Sequence, residues 1–238
     1  GPESPEARHA MPKPPSRRSS AGEIEQFLQK SKAISQVVER QPRLIFAIDA
    51  TASRQPTWDT ACQLQGEMFR ATANIATLAV QLCYYRCFNE FYASRWLSDS
   101  DQLGQLMNSV FCEGGHTQIT RLLRHALSEQ RSSRVRALVF IGDALEENPD
   151  TVCDLAGQCG LLKLPLFLFQ EGGDGQVEKT FRSMARLSGG AYARFDARSA
   201  HTLAALLGAV ASYAAGGRAA LESTTSDSAK LLLGQLRP

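Results

Sequence analysis

With 238 residues, 43% hydrophobic and 21% charged, the chain has the make-up of one ordinary globular domain with tails. Its net charge of +2 argues against a polyanionic partner such as nucleic acid, and the surplus is local, since residues 1–43 hold eight Lys/Arg against five Asp/Glu. The chain is too long and too apolar to need disulfide staples, and its six cysteines contain no CxxC pair and no companion histidines at zinc spacing, so most of them read as small buried apolar residues in a reducing, cytoplasmic compartment.

Residues 1–19 are rich in Pro, Ser and Arg without periodicity and read as a disordered tail; Gly1-Pro2 has the form of a cleaved-tag remnant. Residues 20–43 read as an N-terminal amphipathic helix. Ser20-x-x-Glu23 is a capping box, and Ile24, Phe27, Leu28, Ile34, Val37 and Val38 form one apolar stripe that needs a docking surface.

A domain over 44–214 follows. Leu44–Ile48 is a continuous apolar run of the kind expected of a central parallel strand. Pro56 and Thr57 open a helix whose inner face is Trp58, Cys62, Met68, Phe69 and Ile75. Residues 77–86 and 88–96 read as two strands joined too tightly for a crossover, hence a hairpin. After a helix near 100–110 comes the loop Cys112-Glu113-Gly114-Gly115-His116-Thr117, then Ile119, Leu122, Leu123, Ala126 and Leu127 at helical spacing. Ala137–Ile141 is a second buried strand, closed by Gly142-Asp143; Pro149 starts a helix. Leu166–Phe169 is a third strand, and Val177, Phe181, Met184 and Leu187 mark a helix stopped at Gly189-Gly190. A strand at 191–195 and a helix at 200–215 complete the domain. Thr202 to Gly217 is weakly charged but shorter than the roughly 20 apolar residues of a membrane span, so it reads as a buried helix. Residues 215–238 read as a linker and short docking helix. The alternation predicts an α/β doubly wound, Rossmann-like, mostly parallel six-stranded sheet with one antiparallel edge strand and helices on both faces.

Loops at the carboxyl ends of parallel strands converge on one crevice. Three of the loops here carry oxygen: Asp49, Thr51 and Ser53 after the first strand, Thr117 in the glycine loop, and Asp143 after the second buried strand. Such a set suits Mg²⁺, which takes oxygen ligands and keeps some water. Taken singly, Asp49 also fits a turn or N-cap, and Ser53 and Thr117 both precede helices and fit plain N-caps.

In these residues the chain resembles the von Willebrand factor A (VWA) family. The Asp-x-Ser-x-Ser motif of its metal-ion-dependent adhesion site (MIDAS) stands here as Asp49-Ala50-Thr51-Ala52-Ser53. The threonine of its glycine-rich loop is Thr117 in Gly114-Gly115-His116-Thr117-Gln118-Ile119. Its later aspartate is Asp143, followed by Ala144 where glycine is common. Ala185-Arg186-Leu187-Ser188-Gly189-Gly190-Ala191-Tyr192 resembles a turn of bacterial members, which implies the bacterial intracellular type. Thr51 stands where the first serine is usual, and His116 lengthens the loop.

The resemblance implies a Mg²⁺ site, with Mn²⁺ or Ca²⁺ as alternatives. Thr51, Ser53 and Thr117 would bind the ion through hydroxyls, and Asp49 and Asp143 would act largely through water. So poorly neutralised an ion stays electrophilic toward a partner's Asp or Glu. Arg54, Trp58, His116 and Glu146 are candidates for a partner-binding rim, although the helical spacing of Trp58 also fits the core and His116 also fits an ordinary loop residue. The implied partner is a protein offering an acidic side chain, an AAA+ ATPase being one class with which intracellular relatives act. Two other readings stay open: a metal-free interaction domain, and a metal-dependent hydrolase. The latter draws on Asp49, Asp59, Asp143 and Glu146, but two-metal chemistry wants more direct carboxylates than these loops offer, and no GxSxG, GxxxxGK[ST] or GxGxxG pattern is present.

Overall fold

A computed structural model describes residues 20–196 and 198–238, and side chains throughout these except at 31–40. The chain divides into two units after Arg40. The first carries α1, Ala21–Arg40, whose start is the capping box: the Ser20 amide donates to Glu23 Oε2 at 3.3 Å and the Glu23 amide donates to Ser20 Oγ at 3.2 Å. Ile24, Phe27 and Leu28 lie exposed on it. The rest of that stripe (Ile34, Val37 and Val38) and the 1–19 tail fall outside the described residues and side chains.

The second unit runs β1 (Arg43–Asp49), a 3-10 turn (Ala52–Arg54), α2 (Gln55–Leu64), α3 (Gly66–Thr72), β2 (Ala79–Arg86), β3 (Glu90–Ala93), α4 (Ser100–Asn108), α5 (Ile119–Ser132), β4 (Ala137–Gly142), α6 (Pro149–Leu161), β5 (Leu166–Glu171), α7 (Gly175–Ser188), β6 (Ala191–Phe195), α8 (Ala200–Glu222) and α9 (Asp227–Leu233). The six strands form one sheet in the order β3-β2-β1-β4-β5-β6. Five are parallel and β3 pairs antiparallel with β2, as the helix–strand alternation predicts.

Side chains alternate across the sheet with the period of two that a strand imposes. Leu44, Phe46 and Ile48 of β1 face a core closed by Trp58, Met68, Leu103, Leu207 and Val210 from α2, α3, α4 and α8. Ile45 and Ala47 face the opposite core, closed by Leu122, Leu123, Ala156 and Phe181 from α5, α6 and α7. Burial on both faces is why the central strands read as unbroken apolar runs. Helix starts are encoded locally: Asp99, Asn148, Asp174 and Ser226 each accept a backbone amide from the first turn of α4, α6, α7 and α9. The stop of α7 is Gly189, whose left-handed φ of 79° suits glycine.

Some expectations from periodicity are corrected. The helix opened by Pro56 is two helices, α2 and α3. Ile75 and Leu187 are exposed, because both lie past or near a helix end, where the apolar stripe leaves the core. α8 runs on to Glu222 across a kink at Gly217 (φ 71°) instead of giving way to a linker. By length and composition α8 could cross a bilayer, yet Leu203, Leu206, Leu207 and Val210 are buried in the core. After it, Ala229, Leu232 and Leu236 are also buried there, and the Gln235 amide brackets Tyr192 of the edge strand β6. The Tyr192 N–H donates to Gln235 Oε1 and Gln235 Nε2 donates to the Tyr192 carbonyl, both at 2.8 Å.

Candidate metal centre

Asp49 is the last residue of β1, and β1 pairs with β4 so that Ile48 faces Ile141. Asp143 follows the next β4 residue, so the two aspartates end neighbouring strands. Asp49 is buried, and its Oδ1 accepts from the Thr51 amide at 2.8 Å and the Thr51 hydroxyl at 2.6 Å. Its Oδ2 accepts from the Tyr85 hydroxyl at 3.1 Å, across from the end of β2. Among the described residues no guanidinium or ammonium reaches Asp49 within hydrogen-bonding distance. Burial therefore pushes its carboxyl up, against the pull of Thr51, Tyr85 and the more distant charge of Arg54.

Asp143 is half-buried. Burial raises its carboxyl too, opposed by Arg54 and reinforced by the negative charges of Asp49 and Glu171. Arg54 ends the 3-10 turn and is inserted between strand ends, its side chain 15% exposed: Nη2 lies 3.2 Å from Asp143 Oδ2 and Nη1 lies 2.8 Å from Glu171 Oε2 at the end of β5. The Thr57 hydroxyl also donates to Glu171.

The glycine loop is laid against the ends of β1 and β2. The Glu113 amide donates to the Ala50 carbonyl at 3.0 Å and the His116 amide to the Cys87 carbonyl at 3.1 Å. A Cβ on Gly115 would fall 1.7 Å from the Cys87 oxygen, so this approach requires glycine. Thr117 is buried, donates from Oγ1 to Glu147 Oε2 at 2.6 Å and accepts from the Glu146 amide at 2.9 Å. Glu147, not Thr117, caps α5, accepting from the Ile119 and Thr120 amides.

The five predicted donors thus divide. Asp49 and Thr51 are joined directly, and Asp143 stands beside them. Thr117 is held by Glu146 and Glu147. Ser53 is exposed, with its hydroxyl 3.4 Å from Arg54 Nε. Among the described residues no hydrogen bond ties Ser53 or Thr117 to Asp49 or Asp143. The plain N-cap alternatives do not hold: Ser53 and Thr117 cap no helix, since Arg54 and Gln118 occupy the N-cap positions of α2 and α5.

Of the rim candidates, His116 and Glu146 are exposed and face each other, Nδ1 to Oε2 at 2.7 Å. Trp58 is corrected from rim to core. It is 1% exposed, donates from Nε1 to the Met107 carbonyl at 3.0 Å and packs edge-on against Tyr84. Its helical spacing already pointed there, and truncation to alanine would cost about 3–5 kcal/mol. Arg54 is likewise corrected, from rim to crevice. Glu171 and Tyr85 were missed by sequence reasoning. Glu171 had a signal, as an acid closing a buried parallel strand in the manner of Asp49 and Asp143. Tyr85 had none beyond its place near the end of β2, where the register sets it opposite Asp49.

At the ends of β1 and β4 the donor atoms are hard oxygens, those of Asp49, Thr51 and Asp143, with the Arg54 guanidinium beside Asp143. A buried carboxylate that only neutral donors satisfy is a setting that a divalent cation relieves. A second cluster lies at the β2–β3 turn, where Cys87 Sγ and carboxylate oxygens of Glu90 and Glu113 all fall within 4.8 Å of one another. Glu90 is already paired with Arg86 at 2.8 Å, and the hydrogen bond and charge of Glu113 push the Cys87 thiol up to about 11, so thiolate ligation is disfavoured there.

No protein-family profile and no curated protein sequence matches the chain. Solved structures do match its fold. One is a von Willebrand factor type A structure from Catenulispora acidiphila, at 14% identity over 74% of this chain and 43% of that one, with TM-score 0.61. Another is the SpRpn10 VWA domain, at 10% identity over 68% and 95%, TM-score 0.55. A third is the manganese-loaded TRAP protein of Plasmodium vivax, at 15% identity over 69% and 72%, TM-score 0.51. The chain spans less than half the length of the Catenulispora structure. The fold is that of a VWA domain.

Proposed function

We propose that this protein is a cation-dependent interaction module of the VWA type, intracellular and non-enzymatic, that binds an acidic side chain of a protein partner through a divalent ion held at Asp49, Thr51, Ser53, Thr117 and Asp143. The observation that carries the proposal is the buried Asp49 carboxylate beside Asp143 at adjacent strand ends, faced by hydroxyls and an amide rather than by a cation of its own. Mg²⁺ is the expected ion. The manganese-loaded state of the TRAP structure supports a manganese test as well. His116 and Glu146 form the exposed rim past which the partner approaches, and an AAA+ ATPase is the partner class that the family resemblance implies. Mostly hydroxyl ligation leaves the ion electrophilic, which favours capture of a carboxylate over turnover.

Calorimetric titration with Mg²⁺ and Mn²⁺ tests the ion. Wild type is expected to bind one ion, and the Asp49→Ala, Thr117→Ala double variant none; identical responses sink the proposal. A second reading, a metal-free interaction domain, is favoured by one contact, the Arg54 guanidinium on Asp143. It predicts partner binding that chelator leaves unchanged.

A further inference from the structure

Arg54 is the one basic side chain that the described residues place against Asp143, and its setting is specific. The guanidinium bridges two carboxylates from the ends of β4 and β5, at 3.2 Å from Asp143 and 2.8 Å from Glu171. Arg54 and Glu171 are largely withdrawn from solvent and Asp143 is half-buried, so the pairing is screened less than a surface ion pair. Arg54 also directly follows Ser53 in the 3-10 turn, and the Ser53 hydroxyl has its hydrogen bond with Arg54 Nε. Two of the five candidate ligands, Asp143 and Ser53, are therefore engaged by a single internal cation.

We propose that Arg54 is a built-in competitor for the metal: its guanidinium holds Asp143 and Ser53 in the ion-free protein and must release them for a divalent cation to bind. The inference rests on the metal-site reading above and adds to it what sets the affinity.

The charge balance allows the exchange. One guanidinium meets two carboxylates, Asp143 and Glu171, and a third, Asp49, feels its charge from farther off. When a divalent ion takes Asp49 and Asp143, Arg54 keeps Glu171, and each cation then has its own counter-charge. Beside Glu171 opens a cleft of about 580 Å³ that also presents Asp196. Glu171 thus belongs both to the Arg54 bridge and to the wall of this cleft, and the proposed release turns the guanidinium from Asp143 toward that side. Arg194 lines the same cleft but is paired with Glu178 at 3.0 Å. The move turns the Ser53 hydroxyl free for the ion. The fixed positive charge left nearby still weakens binding of a like-charged ion.

The test is manganese binding by full-length wild type, Arg54→Gln and Arg54→Lys, read by calorimetry and by the paramagnetic resonance of free Mn²⁺, with thermal midpoints in chelator and in saturating Mn²⁺. Arg54→Gln is expected to bind at least about tenfold more tightly, since removing one unit charge a few ångströms away in a half-buried site is worth that much. Arg54→Lys keeps the charge without the two-pronged bridge and is expected to fall between. In chelator Arg54→Gln is expected to be less stable than wild type, and to gain more from Mn²⁺. Equal or weaker binding by Arg54→Gln, with wild type still binding, overturns the competition and leaves the metal site standing. No binding by either protein overturns both. Should Arg54→Gln fail to fold, the wild-type Arg54 Nε–Hε resonance decides: it is expected to shift as Mg²⁺ saturates the protein, and an unmoved resonance at saturation overturns the exchange.

Discussion

At the strand ends, Asp143 and Glu171 share Arg54; at the β2–β3 turn, Glu90 pairs with Arg86 while Cys87 donates to Glu113. The first group is drawn from β1, β4 and β5 and largely closed to solvent. The second sits on an exposed hairpin turn, its ion pair spanning four residues. At the turn the Arg86 hydrogen bond holds the Glu90 carboxyl below its ordinary value, whereas in the crevice burial pushes both aspartates up. A cluster of acids becomes a demand for a cation only where the solvent is kept out.

Four measurements break or sharpen that contrast. The largest expected effect is on ion binding: Asp143→Ala is expected to lower Mn²⁺ affinity by about 100-fold in calorimetry, because even outer partners of a metal are worth 10–100-fold, while Glu113→Gln leaves it within about twofold. Next, Glu113→Gln is expected to speed alkylation of Cys87 at pH 8 by about tenfold, since the carboxylate holding the thiol up to about 11 is gone and more thiolate forms. Mass spectrometry of the modified peptide reads this, and an unchanged rate refutes the Glu113 contact.

Third, Asp49→Asn in chelator at pH 7 is expected to raise the thermal midpoint by about 2–4 °C, what ~1 kcal/mol gives a domain of this size, while abolishing any Mn²⁺-induced gain. The sign follows from linkage: a carboxyl raised in the folded state destabilises it at pH values above its folded pKa, and the penalty fades as pH falls toward the ordinary 3.8. The gain from Asp49→Asn is therefore expected to shrink toward pH 4. The smallest effect concerns His125, whose Nε2 lies 2.9 Å from Gln81 Oε1 and whose pKa burial lowers. Its neutral form supports the fold above the ordinary 6.5, and that support is lost as pH falls below it. Denaturant midpoints of His125→Gln are expected to vary less between pH 7 and 5 than those of wild type.

The sheet was legible because β1, β4 and β5 are buried on both faces and so appear as unbroken apolar runs. The strand ends Asp49 and Asp143 were legible for the same reason. The partner of Arg54 was not. Glu171 lies 117 residues away, and nothing local says that β5 adjoins β4. Trp58 shows a different limit: an aromatic beside a motif suits both rim and core, and only the carbonyl of Met107 and the ring of Tyr84 decide. Periodicity also overran at Ile75 and Leu187, because spacing marks a helical face without saying where the core ends.

The Gln235 side chain has a consequence for self-association. β6 is the outermost strand of the sheet, and a bare strand of this kind is a template on which another chain can add. By giving Tyr192 both a donor and an acceptor, one carboxamide does locally what a seventh strand would do along its length. The turn that carries Gln235 thereby makes this stretch of β6 a poorer template for edge-to-edge addition of another molecule.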